Sequence, residues 1–368
     1  MLNNLLMMIR IICKYLMRWM PAFLLCGLCA CHKDNPVASS SPGGLATPSL
    51  KVYLDNNPDY SSFDSLLKKS GYYQRISSSD SVFTLFVPDN AAFAAAGINI
   101  DSLLNLPAPM LQAYVGYHIL RGNFRTSVIP QAINNPDTTL SGQIIYLSKP
   151  IPTRYNSGTA QQTDQISKTL HVNGITLNKT DLVASNGVID VLSVPLSLPF
   201  PGIQAYFQAH PEYSLLVAAL KKFNLYAQLD SAGPYTVFAP NNNAFLNNGV
   251  DSVLISSDTF DTKHFEPFLF SAGIVPGRIF SSDFSDAQAY FSGSSITPTI
   301  YSVYGSVQFG QYGGYNIVAY SWVPGCCGGF TQLGGNPNYT LIDQPALNGV
   351  IYGLDDLVIY PNNVHIPQ

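Results

Sequence analysis

The side chains of this 368-residue chain that could carry chemistry are few and scattered. Its histidines are His32, His118, His171, His210, His264 and His365. None forms a His-Glu-x-x-His helix, and no two lie one helical turn apart, as two imidazoles sharing a metal would. There is no Gly-x-Ser-x-Gly elbow, no phosphate-cradling glycine loop and no dinucleotide fingerprint. The expectation is therefore a protein that is not an enzyme and takes no cofactor and no metal. Cysteines are clustered: Cys13, Cys26, Cys29 and Cys31 near the start, Cys326 and Cys327 side by side. No zinc-like spacing results. Cys326 and Cys327 form either a strained vicinal disulfide or two thiols.

The elements that would position any site are organised around Phe83-Thr-Leu-Phe-Val-Pro-Asp-Asn-Ala-Ala-Phe93. Alternation sends Phe83, Leu85 and Val87 to one face of a strand and Phe86 to the other, so both faces must be covered. Pro88 ends the strand because it cannot donate to a ladder. Asp89 or Asn90 then caps a helix that Gly97 stops. The box recurs as Tyr235-Thr-Val-Phe-Ala-Pro-Asn-Asn-Asn-Ala-Phe245, 152 residues later with six identities in eleven. A repeat of that length is a duplicated domain. Phe63, Leu66 and Leu67 fall at helical spacing before the box. A short helix over Ile100–Leu106 follows, with Asp101 as its expected cap, and then a helix within Met110–Leu120 that runs into a strand. From Gln143 to Val194 the pattern is strand-like, with a hairpin turn at Asn173-Gly174. Helices first and strands second read as α+β.

Thr84–Phe93, then Tyr117-His118, then Asn186-Gly-Val-Ile-Asp190 resemble the ordered motifs of the fasciclin (FAS1) domain. The family's closing box usually carries a histidine where this chain has Asp190. Asn348-Gly-Val-Ile351 repeats that closing box, and Ala272-Gly273 stand where Tyr-His would recur. The resemblance implies two tandem fasciclin-like domains, 51–199 and 200–362, each a β-sandwich or wedge with helices packed against it. It also implies non-catalytic adhesion, with Tyr117 and His118 as a binding motif. The residues alone equally allow His118 to be an interior histidine bonded to backbone near Asn186.

The second copy diverges over about 290–340, where tyrosines and glycine pairs crowd together. Either the rings fill a core or Tyr312, Tyr315, Tyr320, Trp322 and Phe330 form a binding face, since aromatic rings give large contact area at low entropy cost. Asp64-Ser, Asp80-Ser, Asp101-Ser, Asp230-Ser and Asp251-Ser, each before an apolar residue, are either helix caps and turns or resemble an O-glycosylation sequon.

The chain's beginning reads as an address. Residues 1–30 have basic residues, an apolar run and small residues before Cys31, a signal-peptide pattern. Leu28-Cys-Ala-Cys31 resembles the bacterial lipobox, which would make Cys31 a lipid anchor. His32-Lys-Asp-Asn35 resembles the surface-export signal of Bacteroidetes lipoproteins. A Ser/Pro/Gly-rich tether completes 31–50. The chain is 46% hydrophobic and 11% charged, with net charge −4. Such a balance excludes a long disordered chain and offers no electrostatic footprint for nucleic acid. The expected partners are the membrane, through the N-terminal lipid, and an extracellular protein or polysaccharide. The expected location is the outer membrane, facing outward. The alternative is glycan capture for an outer-membrane uptake partner.

Overall fold

The computed structural model describes residues 47–361 except 78–80, 150–169, 266–267, 272, 284–298, 303–304, 313–314, 323–329 and 333–336; from 299 to 332 it describes backbone alone. Cys31, Cys326, Cys327, the signal sequence and nearly all of the tether lie outside the described residues.

The first copy opens with helices α1 (Leu50–Asp55), α2 (Ser61–Ser70) and α3 (Tyr72–Ile76). Strand β1 (Phe83–Pro88) follows, then α4 (Asn90–Ala95), α5 (Ile100–Leu104) and α6 (Ala108–Tyr117). The strand-rich half comprises β2 (Ile119–Arg121), β3 (Asn135–Thr138), β4 (Ile144–Ser148), β5 (His171–Val172), β6 (Ile175–Ala184) and β7 (Gly187–Leu192). The sheet order is β2-β1-β7-β6-β5-β4-β3, with β1 and β7 parallel neighbours second and third from one edge. β6 is long and bulged, so its far end ladders with β7 and its near end with β5. The sheet is thereby bent into two leaves with a wedge of core between them.

β1 shows why its composition demands this arrangement. Phe83, Leu85 and Val87 pack into a cluster with Phe63, Leu66, Leu67 and Val115 from the helices. Phe86 points the other way, into a cluster with Tyr117, Ile145, Leu147 and Val172 between the leaves. Burying each such side chain contributes about 1.5–3 kcal/mol, which a strand covered on one side only would forfeit on the other. Asp89 is the cap of α4, accepting from the Ala92 N–H at 2.7 Å. One local expectation shifts. Asn99, not Asp101, caps α5, because its side chain is the one placed to accept from the Ser102 N–H. Strand β5 covers two residues only, His171–Val172, before the turn in which Asn173 and Gly174 take φ of 49° and 82°.

The second copy repeats the scheme with α7 (Ile203–Ala209), α8 (Ser214–Lys222), β8 (Tyr235–Pro240), α9 (Asn242–Asn247), α10 (Ser252–Ser256), α11 (Phe268–Ser271) and β9 (Ile274–Pro276). A 3-10 turn at Ser281–Asp283 precedes β10 (Thr299–Ser302), β11 (Gly305–Tyr312), β12 (Tyr315–Trp322) and β13 (Phe330–Gln332). β14 (Tyr339–Ala346) and β15 (Gly349–Leu354) close it. β8 and β15 are parallel, with Tyr235 opposite Gly349 just as Phe83 lies opposite Gly187. The sheet runs β14-β15-β8-β9, and β10–β13 form a separate antiparallel sheet of successive hairpins. The chain is thus α+β, built as two tandem domains.

Candidate functional site

The most chemical-looking pair in the sequence lies inside the protein. His118 ends α6, fully buried, beside the rings of Phe63 and Tyr114. Its Nδ1–H donates to the Tyr114 carbonyl at 2.9 Å, and Nε2 accepts from the Leu196 N–H at 3.1 Å. Those two partners assign the neutral tautomer. Burial pushes the imidazole down to about 4, so it carries no charge at neutral pH. Tyr117 is 1% exposed; its hydroxyl donates to the Ile144 carbonyl at 3.2 Å and accepts from Asn173 Nδ2 at 2.8 Å. Burial pushes that phenol up as well. The expectation that Tyr117 and His118 form a binding motif is corrected on this geometry: neither presents surface to a partner. They tie α6 to the segment leaving β7 and to the β5–β6 turn. The interior reading of His118 describes it, with Leu196 rather than the Asn186 box as the backbone partner.

The Asn-Gly boxes are also structural. Asn186 Oδ1 accepts from the Leu50 N–H and its Nδ2 donates to the Ile76 carbonyl, stitching the first and third helices to β7. Asn348 does the same with Ile203 N–H and the Leu229 carbonyl. A Cβ on Gly187 would lie 2.0 Å from the Phe83 carbonyl oxygen, and on Gly349 2.1 Å from that of Tyr235. Glycine is required at both because the central parallel strands begin there in direct contact.

Asp190, in place of the family's histidine, is fully buried on β7. Its Oδ1 accepts from the Asp181 N–H at 2.8 Å, while Oδ2 has no partner. Burial, with the neighbouring Asp181 charge, pushes this carboxyl up to about 7. Asp181 sits at φ 58° and its carboxylate holds the Thr126 N–H and hydroxyl.

Sequence reasoning misses the joint between the copies. Arg278 is 8% exposed, and its guanidinium donates to the carbonyls of Ala346, Leu347 and Gly349. It also lies over the ring of Tyr146 from the first copy, 4.4 Å from the centroid. Burial lowers its pKa. Asn134 Nδ2 donates to the Arg278 carbonyl at 2.6 Å, and Ile133 and Tyr146 pack against the second copy's core. Stacking on a desolvated ring is worth about 2 kcal/mol. Beside this joint lies an open cleft of about 400 Å³, lined by Thr176, Ser193, Val194, Ser197, Ile342 and Pro345. Val194 and Ile342 are 43% and 53% exposed.

The aromatic stretch is described as backbone. The register sets Tyr312 opposite Tyr315, Tyr320 opposite Gln332, and Trp322 opposite Phe330. The five residues therefore lie on three adjacent strands, with Tyr312 and Tyr315 at one end of the β11–β12 pair and Trp322 and Phe330 at the other. Of the serine triplets, Asp251 is the cap of α10, accepting from the Leu254 N–H at 2.7 Å. Among the described residues there is no cluster of three or more metal-ligating acidic, histidine or cysteine side chains, and no helix is long and apolar enough to cross a membrane.

Comparison with known proteins places both copies. The family profile for the fasciclin domain matches residues 58–199 and 211–361. Mouse stabilin-1 is 27% identical over 207 residues, 55% of this chain and 7% of its own length. Pig transforming growth factor-beta-induced protein ig-h3 is 24% identical over 279 residues, 75% of this chain and 34% of its own length. Human periostin is 28% identical over 199 residues, 54% and 21% respectively. The chain therefore spans at most about a third of these relatives. A solved FAS1 domain pair from the insect cell adhesion molecule fasciclin I aligns with 16% identity and a TM-score of 0.36, covering 83% of this chain and 98% of that one.

Proposed function

The chain belongs to the fasciclin family, and from that premise we propose that it is a non-catalytic adhesion protein of the cell surface, binding extracellular protein or polysaccharide. The observation that carries this reading is the joint. Tyr146, Arg278 and Asn134 hold the copies together, so that a partner meets a broad double-domain face with a cleft of about 400 Å³ in it. The polar residues of the boxes support the same view, because their side chains bond to the protein's own backbone. Recognition then falls to surfaces that differ between the copies: the cleft, and the strands bearing Tyr312, Tyr315, Tyr320, Trp322 and Phe330.

The proposal includes the anchor. Cys31 carries the lipid, and the Ser/Pro/Gly-rich segment after it lets the double domain stand clear of an outer membrane. Converting Cys31→Ala should release the protein from the membrane fraction; undiminished membrane association would remove the anchor from the reading. For binding, an array of matrix proteins and polysaccharides probed with soluble residues 47–368 is decisive. Binding to a protein spot supports adhesion. Binding confined to polysaccharide narrows the function to glycan capture beside an uptake partner. Silence on both classes overturns surface recognition altogether.

A further inference from the structure

We propose that the helical face of the second copy carries a site for an acidic sugar residue, in which Lys221 takes the ligand's carboxylate as the equivalent lysine of the first copy takes Asp55. The inference rests on the polysaccharide side of the adhesion reading and gives it a place and a chemistry.

In the first copy the position is closed by the chain itself. Asp55, at the end of α1, accepts from Lys68 Nζ at 2.9 Å and from the Tyr73 hydroxyl at 2.7 Å, with Lys51 Nζ 3.8 Å away. Lys68 also pairs with Asp64 and lies over the Tyr73 ring, 5.0 Å from its centroid. Both lysines thus have a carboxylate from their own copy.

The copies stay in register through these helices. Leu50 and Ile203 each donate their N–H to the asparagine of the closing box, and the carbonyls of Ile76 and Leu229 each accept from it. At that spacing Lys221 answers to Lys68 and Tyr226 to Tyr73, and the contact of cation with ring recurs at 5.0 Å. The acidic partners do not recur. Gln208 stands in place of Asp55, Val217 in place of Asp64 and Gln204 in place of Lys51. Among the described residues Lys221 forms no ion pair.

An open pocket of about 370 Å³ lies here, lined by Gln204, Lys221, Asn224, Tyr226, Ala227 and Asp230. Gln204, Lys221 and Tyr226 occupy the places of the three residues that surround Asp55 in the first copy. Small-ligand sites run from about 300 to 1,000 Å³. Gln204 Nε2 donates to the Tyr226 carbonyl at 3.0 Å and so braces the 3-10 turn Tyr226–Asp230 against α7. Asn224 brings a side chain where the first copy has none: both positions are left-handed, Asn224 at φ 59° and Gly71 at φ 84°. Glycine enters that region most easily and asparagine next, so the amide is carried at a small conformational cost.

The lining selects the ligand. A lysine and a tyrosine that hold a carboxylate in one copy stand without it in the other, and the complement of an unpaired ammonium is an anion. Asp230, in place of Ser77, repels a ligand dense in acid but accepts from hydroxyls, and the Asn224 amide both donates and accepts. One carboxylate among several hydroxyls on a compact ring meets all three groups. An acidic peptide brings carboxylates without those hydroxyls.

Titration calorimetry of the full chain with a short oligogalacturonate at low ionic strength tests the site. Saturable binding is expected, weakened by salt and lost with the methyl-esterified oligomer, which has the hydroxyls but no charge. Gln208→Asp restores the carboxylate of the first copy beside Lys221, and Lys221→Gln removes the cation; both positions are exposed. Each should weaken binding by about tenfold or more, the worth of one charge-assisted hydrogen bond, with the melting temperature unchanged. Asn224→Gly should weaken it by about threefold. No binding by the wild type overturns the site, as does equal binding of the ester or tighter binding of a glutamate-rich peptide. Binding that survives both Gln208→Asp and Lys221→Gln also overturns it, and leaves the adhesion reading standing with its polysaccharide contact elsewhere.

Discussion

In the first copy a tyrosine at the end of a helix, Tyr117, fills the wedge beneath Phe86. In the second, Phe238 is covered instead by Tyr352 on β15, ring on ring at 5.0 Å and 18°. The exchange is coupled. His118 and Gly273 occupy equivalent places, since their carbonyls accept the N–H groups of Phe86 and Phe238. Tyr352 occupies the place of Asp190, one partnered by Ile279 and Asp343 through its hydroxyl, the other left with an unpaired oxygen. What stays constant is the polar frame: Asn186 and Asn348 across the helices, and Asp181 and Asp343 at φ 58° and 56°, each capturing a loop hydroxyl and its N–H. A fold held by backbone-directed side chains tolerates moving an aromatic ring from one element to another, provided the volume is refilled.

The sharpest attack on that equivalence is at the shared glycines. Gly187→Ala and Gly349→Ala each drive a methyl into a strand carbonyl near 2 Å. Each should cost more than about 4 kcal/mol and be seen as loss of the cooperative urea transition of its own copy. A mild effect at one alone would show that the two parallel strand pairs are not built alike.

The next test breaks the symmetry where the copies already differ. His118→Ala leaves the Tyr114 carbonyl and the Leu196 N–H without their buried partner. At about 1–3 kcal/mol per unsatisfied group, plus the cavity, a loss near 3 kcal/mol is expected. His118 also sets a pH edge. A base lowered to about 4 in the folded state stabilises fully above its unfolded value near 6.5, and loses that contribution as pH falls toward 4. The alanine variant should lack this acid-side decline in melting temperature.

Asp190 gives the opposite edge. Raised to about 7, its carboxyl contributes most below pH 4 and progressively less as pH climbs through 7. Asp190→Asn removes the buried charge, and should stabilise the first copy at pH 8 by on the order of 2 kcal/mol while changing little at pH 4. In the second copy Tyr352→Phe should do the reverse, costing about 1 kcal/mol through a lost hydroxyl partner. Stabilisation by Tyr352→Phe would mean that its hydroxyl burdens the core as the Asp190 carboxyl does.

These contrasts also mark what could be read from the chain. The two apolar faces of β1, a helix cap directly after Pro88 and the hairpin at Asn173-Gly174 were legible because each is decided within a few residues; the structure chose Asp89 over Asn90 as that cap. The duplication was legible because Phe83–Phe93 and Asn186–Ile189 recur in order. The burial of Tyr117-His118 was not, since a dipeptide looks the same whether a helix end turns inward or out; the nearest clue was the apolar stretch on both sides of it. Arg278 and Tyr146 were invisible as a pair because 132 positions separate them and each alone reads as surface. Position 190 was noticed as a departure from the family. Its meaning needed the neighbouring Asp181, brought close only by the bulged pairing of β6 with β7.

The smallest expected difference concerns the caps, where the copies differ by one charge. Asp89 accepts the Ala92 N–H at 2.7 Å and Asn241 accepts the Ala244 N–H at 3.0 Å, each opening a six-residue helix. Either residue satisfies one of the donors that a helix start leaves open, so replacement by alanine should cost about 1 kcal/mol in each copy. The carboxylate adds attraction to the helix dipole, worth about 0.3–1 kcal/mol at low ionic strength and screened by salt. Asp89→Ala should therefore exceed Asn241→Ala by a few tenths of a kcal/mol in dilute buffer, and the gap should close in molar salt. Urea titrations at the two ionic strengths measure it. A gap that persists in salt would assign the difference to the shorter hydrogen bond rather than to charge.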